Sequence, residues 1–96
     1  MTALTDAEIE QRLTDAGDWH RIAQHSIARD LSFPDFAAAI AFVNDVAELA
    51  EAANHHPDIL VHGWNKVRLT LSTHSQGGLT DADFKLAAQI DALERA

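Results

Sequence analysis

A proline at position 57 limits the longest apolar pattern in this 96-residue chain. Between residues 35 and 53, apolar side chains recur every three or four positions, which is the spacing of one face of a helix, while acidic residues fall on the opposite face. Proline lacks a backbone N–H and disfavours helical geometry at the residue before it. We therefore predict a helix over residues 35–53 that ends just before two adjacent histidines, His55 and His56.

The segment before this helix contains one helical pattern and two strand patterns. Thr5 and Glu8 have the spacing of a capping box, and Gly17 is the type of residue that ends a helix, so a first helix is predicted between them. Polar and apolar residues then alternate, which predicts two short strands ending near Phe33, with a turn at residues 24–25.

The segment after residue 57 repeats the same order. A short apolar run at residues 59–61 and a strict alternation at residues 66–71 predict two strands, and Gly63 with Asn65 supplies the turn between them. Thr80 has an acidic residue three positions later, Asp83, which is the spacing of a helix start. A third helix is therefore predicted from about residue 80 onward.

These elements follow the order helix, two strands, helix, two strands, helix. The simplest arrangement is an α+β two-layer sandwich, in which three helices cover one face of a four-stranded antiparallel sheet. Residues 1–96 are long enough for one such domain. Unpaired sheet edges and helix packing both offer routes to self-association, so we expect a homodimer or a homotetramer, with a monomer whose edges are protected as the alternative.

Composition excludes several classes of function. The chain has no cysteine, which removes disulfides and thiolate chemistry and makes a cytoplasmic location the default. A formal net charge of −8, with seven Lys and Arg, argues against a nucleic acid partner. No apolar run approaches the roughly 18–20 residues that cross a bilayer, so no membrane partner is expected.

The histidines are the candidate chemical groups. His55 lies four residues after Glu51 at a helix end, and both the carboxylate and the helix dipole would stabilise an imidazolium there. His56 points elsewhere because adjacent side chains diverge, and His74 follows the last predicted strand. Such imidazoles can act as general acids or bases, ligate a metal or cap helix carbonyls. His20, His25 and His62 are interpreted as surface residues.

Other kinds of site have weaker support. Zinc has potential ligands in His55, His74 and a carboxylate, but the paired spacing of HExxH is absent. Ser72, Thr73 and Ser75 neighbour His74 without a GxSxG elbow, and the two glycines at 77–78 lack a phosphate-binding motif. What remains is proton transfer by imidazoles and carboxylates, with neither a metal nor a cofactor.

Several motifs together resemble one known family. They are EAANHHP at residues 51–57, Trp64, Thr73-His74, Gly78-Leu79 and Asp83, with DLSFPDFAAAIAFVNDVAELAE before them, DFKLAAQID after them and Trp19 near the start. In these residues and their spacing, nearly the whole chain is similar to the pterin-4a-carbinolamine dehydratases. One position departs from the family pattern, since Asn54 stands where aspartate is frequent.

The resemblance implies a fold, a reaction and a set of site residues. The fold is the four-stranded sheet with helices on one side. The reaction is dehydration of a 4a-hydroxytetrahydropterin, left by an aromatic amino acid hydroxylase, to quinonoid dihydropterin and water. The implied catalytic residues are His55, His56 and His74, and the implied substrate-binding residues are Glu51, Asn54, Thr73 and Asp83.

Within that set, the resemblance implies that Glu51 orients His55 and that Asp83 borders the pocket. His55 and His74 are expected to transfer protons, in either order of acid and base, while His56 binds or polarises the substrate. The pterin is the expected small-molecule partner, and an aromatic amino acid hydroxylase is a further candidate partner. An alternative from the same family is a protein-binding or dimerisation module that has no catalytic activity.

Overall fold

The computed structural model describes residues 3–94, apart from the side chains of His74 and Glu94. The predicted order of helices and strands is confirmed. The elements are α1 (Asp6–Ala16), β1 (His20–Ile22), β2 (Ser26–Ser32), α2 (Phe36–Ala53), β3 (Asp58–His62), β4 (Lys66–Leu71), a short 3-10 turn (His74–Gln76) and α3 (Asp81–Glu94). None of the helices in this described part is long and apolar enough to cross a membrane.

The four strands form one antiparallel sheet in the order β1-β2-β4-β3. β2 and β4 are the central pair, with Ile27 opposite Leu71 and Asp30 opposite Arg68. Alternate residues therefore face the helices or the open side of the sheet. On the open side, the hydrogen bonds that the Arg68 guanidinium donates to Asp30 hold the pKa of that carboxyl below its ordinary value. β3 and β1 form the two edges.

The hydrophobic core lies between the sheet and the helices. Its strand residues come from the inward face of β2 and β4, and Leu69 in the centre of β4 is completely buried. α2 contributes Ala39, Phe42 and Val46, while α3 contributes Leu86 and Ile90. The period-two pattern of residues 66–71 buries the residues that the sequence predicted. On α2 the prediction is confirmed only in part, because the predicted stripe included Phe36, Ala47 and Ala53, which are exposed, and omitted Phe42, which is buried.

Truncating Leu69 tests this assignment of the core. We expect Leu69→Ala to lower the free energy of unfolding by roughly 2–5 kcal/mol, because the lost methyl groups leave a cavity that the central strand cannot close. Thr70→Ala, one residue further along β4 and directed to the other face, is the matched control and should cost less. Urea denaturation measures both variants. Equal losses would contradict the assignment.

Arg29 interrupts the apolar face of β2 and is nevertheless buried. Its guanidinium forms ion pairs with Asp91 on α3 and with Asp18 before β1. The Asp91 carboxylate also accepts a hydrogen bond from the indole nitrogen of the buried Trp19, at 3.0 Å. Burying a charged group is tolerated when ionic partners and hydrogen bonds replace its water. This cluster fastens α3 to the sheet near β1.

The helix boundaries have local causes. Thr5 and Glu8 form the predicted capping box of α1, with the Thr5 side chain accepting from the Glu8 N–H and the Glu8 side chain accepting from the Thr5 N–H. Asp35 caps α2, so that this helix starts one residue later than predicted. Its other end is closed by Asn54, which adopts the left-handed conformation at φ 50° and ψ 43°.

Candidate active site

His55 is positioned by the way the chain leaves α2. The backbone N–H of Asn54 bonds to the carbonyls of Ala50 and Glu51, and the N–H of His55 bonds to the Ala50 carbonyl at 3.1 Å. Asparagine tolerates the left-handed conformation better than most residues, which accounts locally for its presence at this helix end. Asn54 itself is exposed, and the change of direction turns the next residue, His55, toward α3.

The His55 imidazole meets the Asp83 carboxylate. His55 Nε2 lies 2.6 Å from Asp83 Oδ1, and Asp83 is completely buried. The other carboxylate oxygen, Oδ2, accepts from the Thr73 hydroxyl at 2.7 Å and from the Thr80 N–H at 2.9 Å. An oxygen with two donors has no need of its own proton, so Asp83 acts as a carboxylate that accepts from three groups.

This arrangement fixes the tautomer of His55. Because Asp83 Oδ1 is an acceptor, the proton of a neutral His55 ring lies on Nε2. The second ring nitrogen, Nδ1, has no hydrogen-bond partner among the groups that the structure describes. Nδ1 is therefore the nitrogen that can take up or release a proton.

Two threonine hydroxyls extend the network. Since the Thr73 hydroxyl donates to Asp83, the Thr80 hydroxyl, 3.0 Å from it, donates to Thr73. Thr80 Oγ1 in turn accepts from the Ala82 N–H at 3.3 Å. The network joins the start of α3 to the segment after β4. It also holds Asp83 in one orientation, because each of its oxygens has a fixed donor.

Glu51 contacts a different histidine from the one expected. Its Oε2 atom lies 2.6 Å from His56 Nε2, and both side chains are exposed. The expectation that Glu51 orients His55 is therefore wrong. The reason is that Asn54 leaves helical geometry, so the four-residue spacing no longer places His55 on the face of Glu51. Asp83 orients His55 instead, and its carboxylate lies within the core rather than on a pocket surface.

His74 begins the short 3-10 turn that follows Thr73. Backbone hydrogen bonds between Thr73 and Gly78 close the loop that contains it, and Thr73 is itself anchored to Asp83. The His74 side chain lies outside the described residues, and so does any zinc site that uses it. Among the described side chains, no three His, Asp or Glu residues converge as a metal site.

A cavity of about 550 Å³ lies between α2 and α3. This is within the roughly 300–1,000 Å³ common for small-molecule sites. His55 lines one part of it, whereas His56 and Glu51 are not among the lining residues. The complete lining is Leu49, Ala52, Ala53, His55, Asp81, Ala82, Lys85, Leu86 and Gln89.

The expected residues thus fall into two groups. His55, Thr73 and Asp83 form one connected network, while Glu51 and His56 form an exposed pair beside it. The sequence reasoning missed the role of Thr80, which it interpreted only as a helix cap. The three-residue spacing of Thr80 and Asp83 was the usable signal. A carboxylate that accepts from the N–H at the start of a helix is held in one position, and its other oxygen can then contact a further side chain.

Sequence comparisons agree with this architecture. A family model described as "Pterin 4 alpha carbinolamine dehydratase" matches residues 2–93. A protein of Roseiflexus castenholzii is 57% identical over 90 residues, covering 94% of this chain and 95% of the relative. A protein of Acidobacterium capsulatum is 53% identical over 93 residues, covering 97% and 99%. The names of both relatives assign them provisionally to pterin-4-alpha-carbinolamine dehydratase.

Two solved structures share the fold. A transcriptional coactivator/pterin dehydratase from Brucella melitensis superimposes with a TM-score of 0.90 at 33% identity, covering 96% of this chain and 98% of that chain. A pterin dehydratase-like protein described as a RuBisCO assembly factor in the alpha-carboxysome gives a TM-score of 0.67 at 28% identity, covering 79% and 88%.

Proposed function

This chain belongs to the pterin-4a-carbinolamine dehydratase family, and from that premise we propose that it dehydrates 4a-hydroxytetrahydropterin to quinonoid dihydropterin. The observation that carries the proposal is the 2.6 Å contact between His55 and the buried Asp83. That contact occupies one nitrogen of an imidazole that lines a cavity of suitable size. Titratable groups held in this way beside a cavity are typical of acid–base sites.

The reaction removes one hydroxyl and one proton. The lone pair of N5 forms the double bond to C4a, the bond between C4a and the hydroxyl oxygen breaks, and an acid protonates the departing oxygen to give water. A base takes the remaining proton of N5. Groups with a pKa near neutrality perform both transfers well, because they are present in both protonation states. Histidine is such a group.

His55 would carry out one transfer through Nδ1, while Asp83 accepts from Nε2 and holds the ring in one orientation. We assign the other transfer to His74, because its neighbour Thr73 is bonded to the same carboxylate as His55. His56 would bind or polarise the pterin, with Glu51 setting its ring orientation. Asn54 borders the site as the helix cap. No cofactor takes part, and an aromatic amino acid hydroxylase would supply the substrate.

A dehydration assay tests the proposal. We expect the wild type to accelerate the loss of water from 4a-hydroxytetrahydropterin in a stopped-flow or hydroxylase-coupled assay, and we expect His74→Ala to lower that rate by about 100-fold or more. Activity should survive a metal chelator. If the wild type is no faster than His74→Ala, the catalytic proposal is lost. If a chelator abolishes the rate, the zinc alternative replaces the present mechanism.

The second candidate function is protein binding without catalysis. It is favoured by the two structural neighbours, since one is described as a transcriptional coactivator/pterin dehydratase and the other as an assembly factor. The same assay separates the candidates. A protein that folds normally but leaves the dehydration rate unchanged would act as a binding module.

We also propose that the chain associates with itself through β3. This edge strand presents Ile59 and Leu60 to solvent, with exposed fractions of 37% and 54%. An unpaired strand edge is a template for another strand. If two β3 strands pair antiparallel with Leu60 opposite its copy, Asp58 of each chain lies opposite His62 of the other. The face that carries Leu60 then also pairs aspartate with histidine, and on the other face Ile59 of each chain lies opposite Val61 of its partner.

The state of association can be measured by light scattering during size-exclusion chromatography. We expect Leu60→Lys to shift the protein toward the monomer, because two lysines would meet at the symmetry axis. Phe36→Lys is the matched control, since Phe36 has the same exposed fraction of 54% but lies at the start of α2. Pairing through β3 would be contradicted if Leu60→Lys kept the molar mass of the wild-type assembly. It would also be contradicted if Phe36→Lys dissociated the assembly and Leu60→Lys did not.

A further inference from the structure

The cavity beside His55 extends along α3 beyond the reacting groups. Its α3 lining starts at Asp81 and Ala82 and continues through Lys85 and Leu86 to Gln89. With a rise of 1.5 Å per residue, this lining runs about 12 Å along the helix. Asp83, which contacts His55, is in the first turn of α3, so His55 marks one end of the cavity and Gln89 the other. There is room for a substituent attached to the ring that reacts.

Lys85 is a free cation in this cavity. Each described arginine, namely Arg12, Arg21, Arg29 and Arg68, forms an ion pair with an aspartate. Lys85 has no carboxylate within 4.0 Å among the residues that the structure describes. Asp81 lies four residues earlier on α3, a spacing that often pairs with lysine, but it is bonded to Arg12 of α1. Lys66 forms no ion pair with a described residue either, but Lys85, an exposed residue of α3, is the one of these two lysines that lines the cavity.

The rest of the cavity suits a short chain attached to a flat ring. Ala52, Ala53 and Ala82 leave space between the helices, and Leu49 and Leu86 supply apolar contacts. Gln89 follows Lys85 by four residues and therefore presents its amide on the same face of α3. Together these two side chains provide several hydrogen-bond donors for one acceptor group.

We propose that this cavity binds the side chain of the pterin substrate and that Lys85, assisted by Gln89, selects substrates whose side chain ends in an anion. The inference rests on the proposed function, because it places the pterin ring beside His55. Lys85 follows Asp83, the partner of His55, by two residues on α3, a rise of about 3 Å, so a chain of about three carbons attached to a ring beside His55 comes within reach of the lysine side chain. The anion is a phosphate or a carboxylate, since both accept hydrogen bonds from an ammonium group.

Isothermal titration calorimetry with matched pterins tests this inference. The probes are neopterin, neopterin with a phosphate on the end of its three-carbon chain, and a pterin whose three-carbon chain ends in a carboxylate. We expect the wild type to bind at least one anionic probe about five- to tenfold more tightly than neopterin at low salt, with the preference falling as salt is added. Comparison of the two anionic probes identifies the preferred group.

In Lys85→Gln the ratio of the affinity for the anionic probe to the affinity for neopterin should fall to about one. Lys66→Gln is the matched control, because Lys66 is a lysine of β4 that does not line the cavity, and it should keep the wild-type ratio. Equal affinity of the wild type for neutral and anionic probes would overturn the inference alone. A preference that survives in Lys85→Gln would also overturn it. Failure of the wild type to bind any of the three pterins would overturn the inference too, whereas the proposed function is lost only if the wild type does not accelerate the dehydration.

Discussion

Replacing Asp83 with asparagine is expected to lower kcat for pterin dehydration by about 100- to 1,000-fold. The two side chains have the same shape, but the carboxamide has one acceptor oxygen, whereas the carboxylate accepts from His55, Thr73 and Thr80. The new NH2 group must face a former donor. If it faces His55, the imidazole must place its proton on Nδ1 and lose the free nitrogen that transfers protons.

The test combines kinetics with a structural readout. Nitrogen-15 NMR of the histidines should show a change in the His55 tautomer of Asp83→Asn, which a general loss of stability would not produce. Unfolding should be easier by about 1–3 kcal/mol, because a buried donor loses its acceptor. Asp45→Asn, at an exposed position on α2, is the matched control. If Asp83→Asn keeps kcat within threefold of the wild type, the carboxylate does not control the His55 ring.

Removing the two adjacent imidazoles should have unequal effects. We expect His55→Ala to lower kcat by about 100- to 10,000-fold, the range for loss of a general acid or base. We expect His56→Ala to act mainly on KM, by about tenfold or less, because His56 and its partner Glu51 are both exposed to solvent. Stopped-flow rates at several substrate concentrations separate kcat from KM.

His20→Ala is the control for this pair, since His20 is an exposed histidine on β1, which forms the sheet edge away from β3. Its kinetics should match those of the wild type. The assignment of roles would be contradicted if His56→Ala lowered kcat as much as His55→Ala. Such a result would mean that the exposed pair, rather than the network around Asp83, performs the proton transfer.

Much of the fold could be predicted because its determinants are local. Residues close in sequence determine three features that the structure reproduces. They are the strand predicted at residues 66–71, the helix predicted at residues 35–53 and the capping box of α1. The burial of Arg29 could not be predicted in this way. It depends on Asp91, which lies 62 residues away and reaches Arg29 only after α3 packs on the sheet.

The same distinction applies to the candidate site. The histidines at the end of α2 were located from the helical pattern and Pro57, and the resemblance to a family supplied the candidate roles. The partner of His55 was predicted wrongly because the four-residue spacing from Glu51 brings two side chains together only where the backbone is helical, and Asn54 is not. Because this single residue is left-handed, Glu51 contacts His56, and His55 contacts Asp83. Hydrophobic periodicity does not predict the backbone conformation of a single residue. An asparagine just after the last apolar position of a helix, however, does favour a left-handed helix end.

The two tryptophans differ in their exposure to solvent. Trp19 is 3% exposed and bonded to Asp91, whereas Trp64 is 62% exposed in the turn between β3 and β4. The chain therefore contains two intrinsic fluorophores with separate uses. Iodide should quench the emission of Trp64 in the native protein and reach Trp19 only when the polypeptide denatures. Comparison with Trp64→Phe separates the emission of the two residues. A single fluorescence sample can then report unfolding of the core through Trp19 and shielding of the turn between β3 and β4 through Trp64.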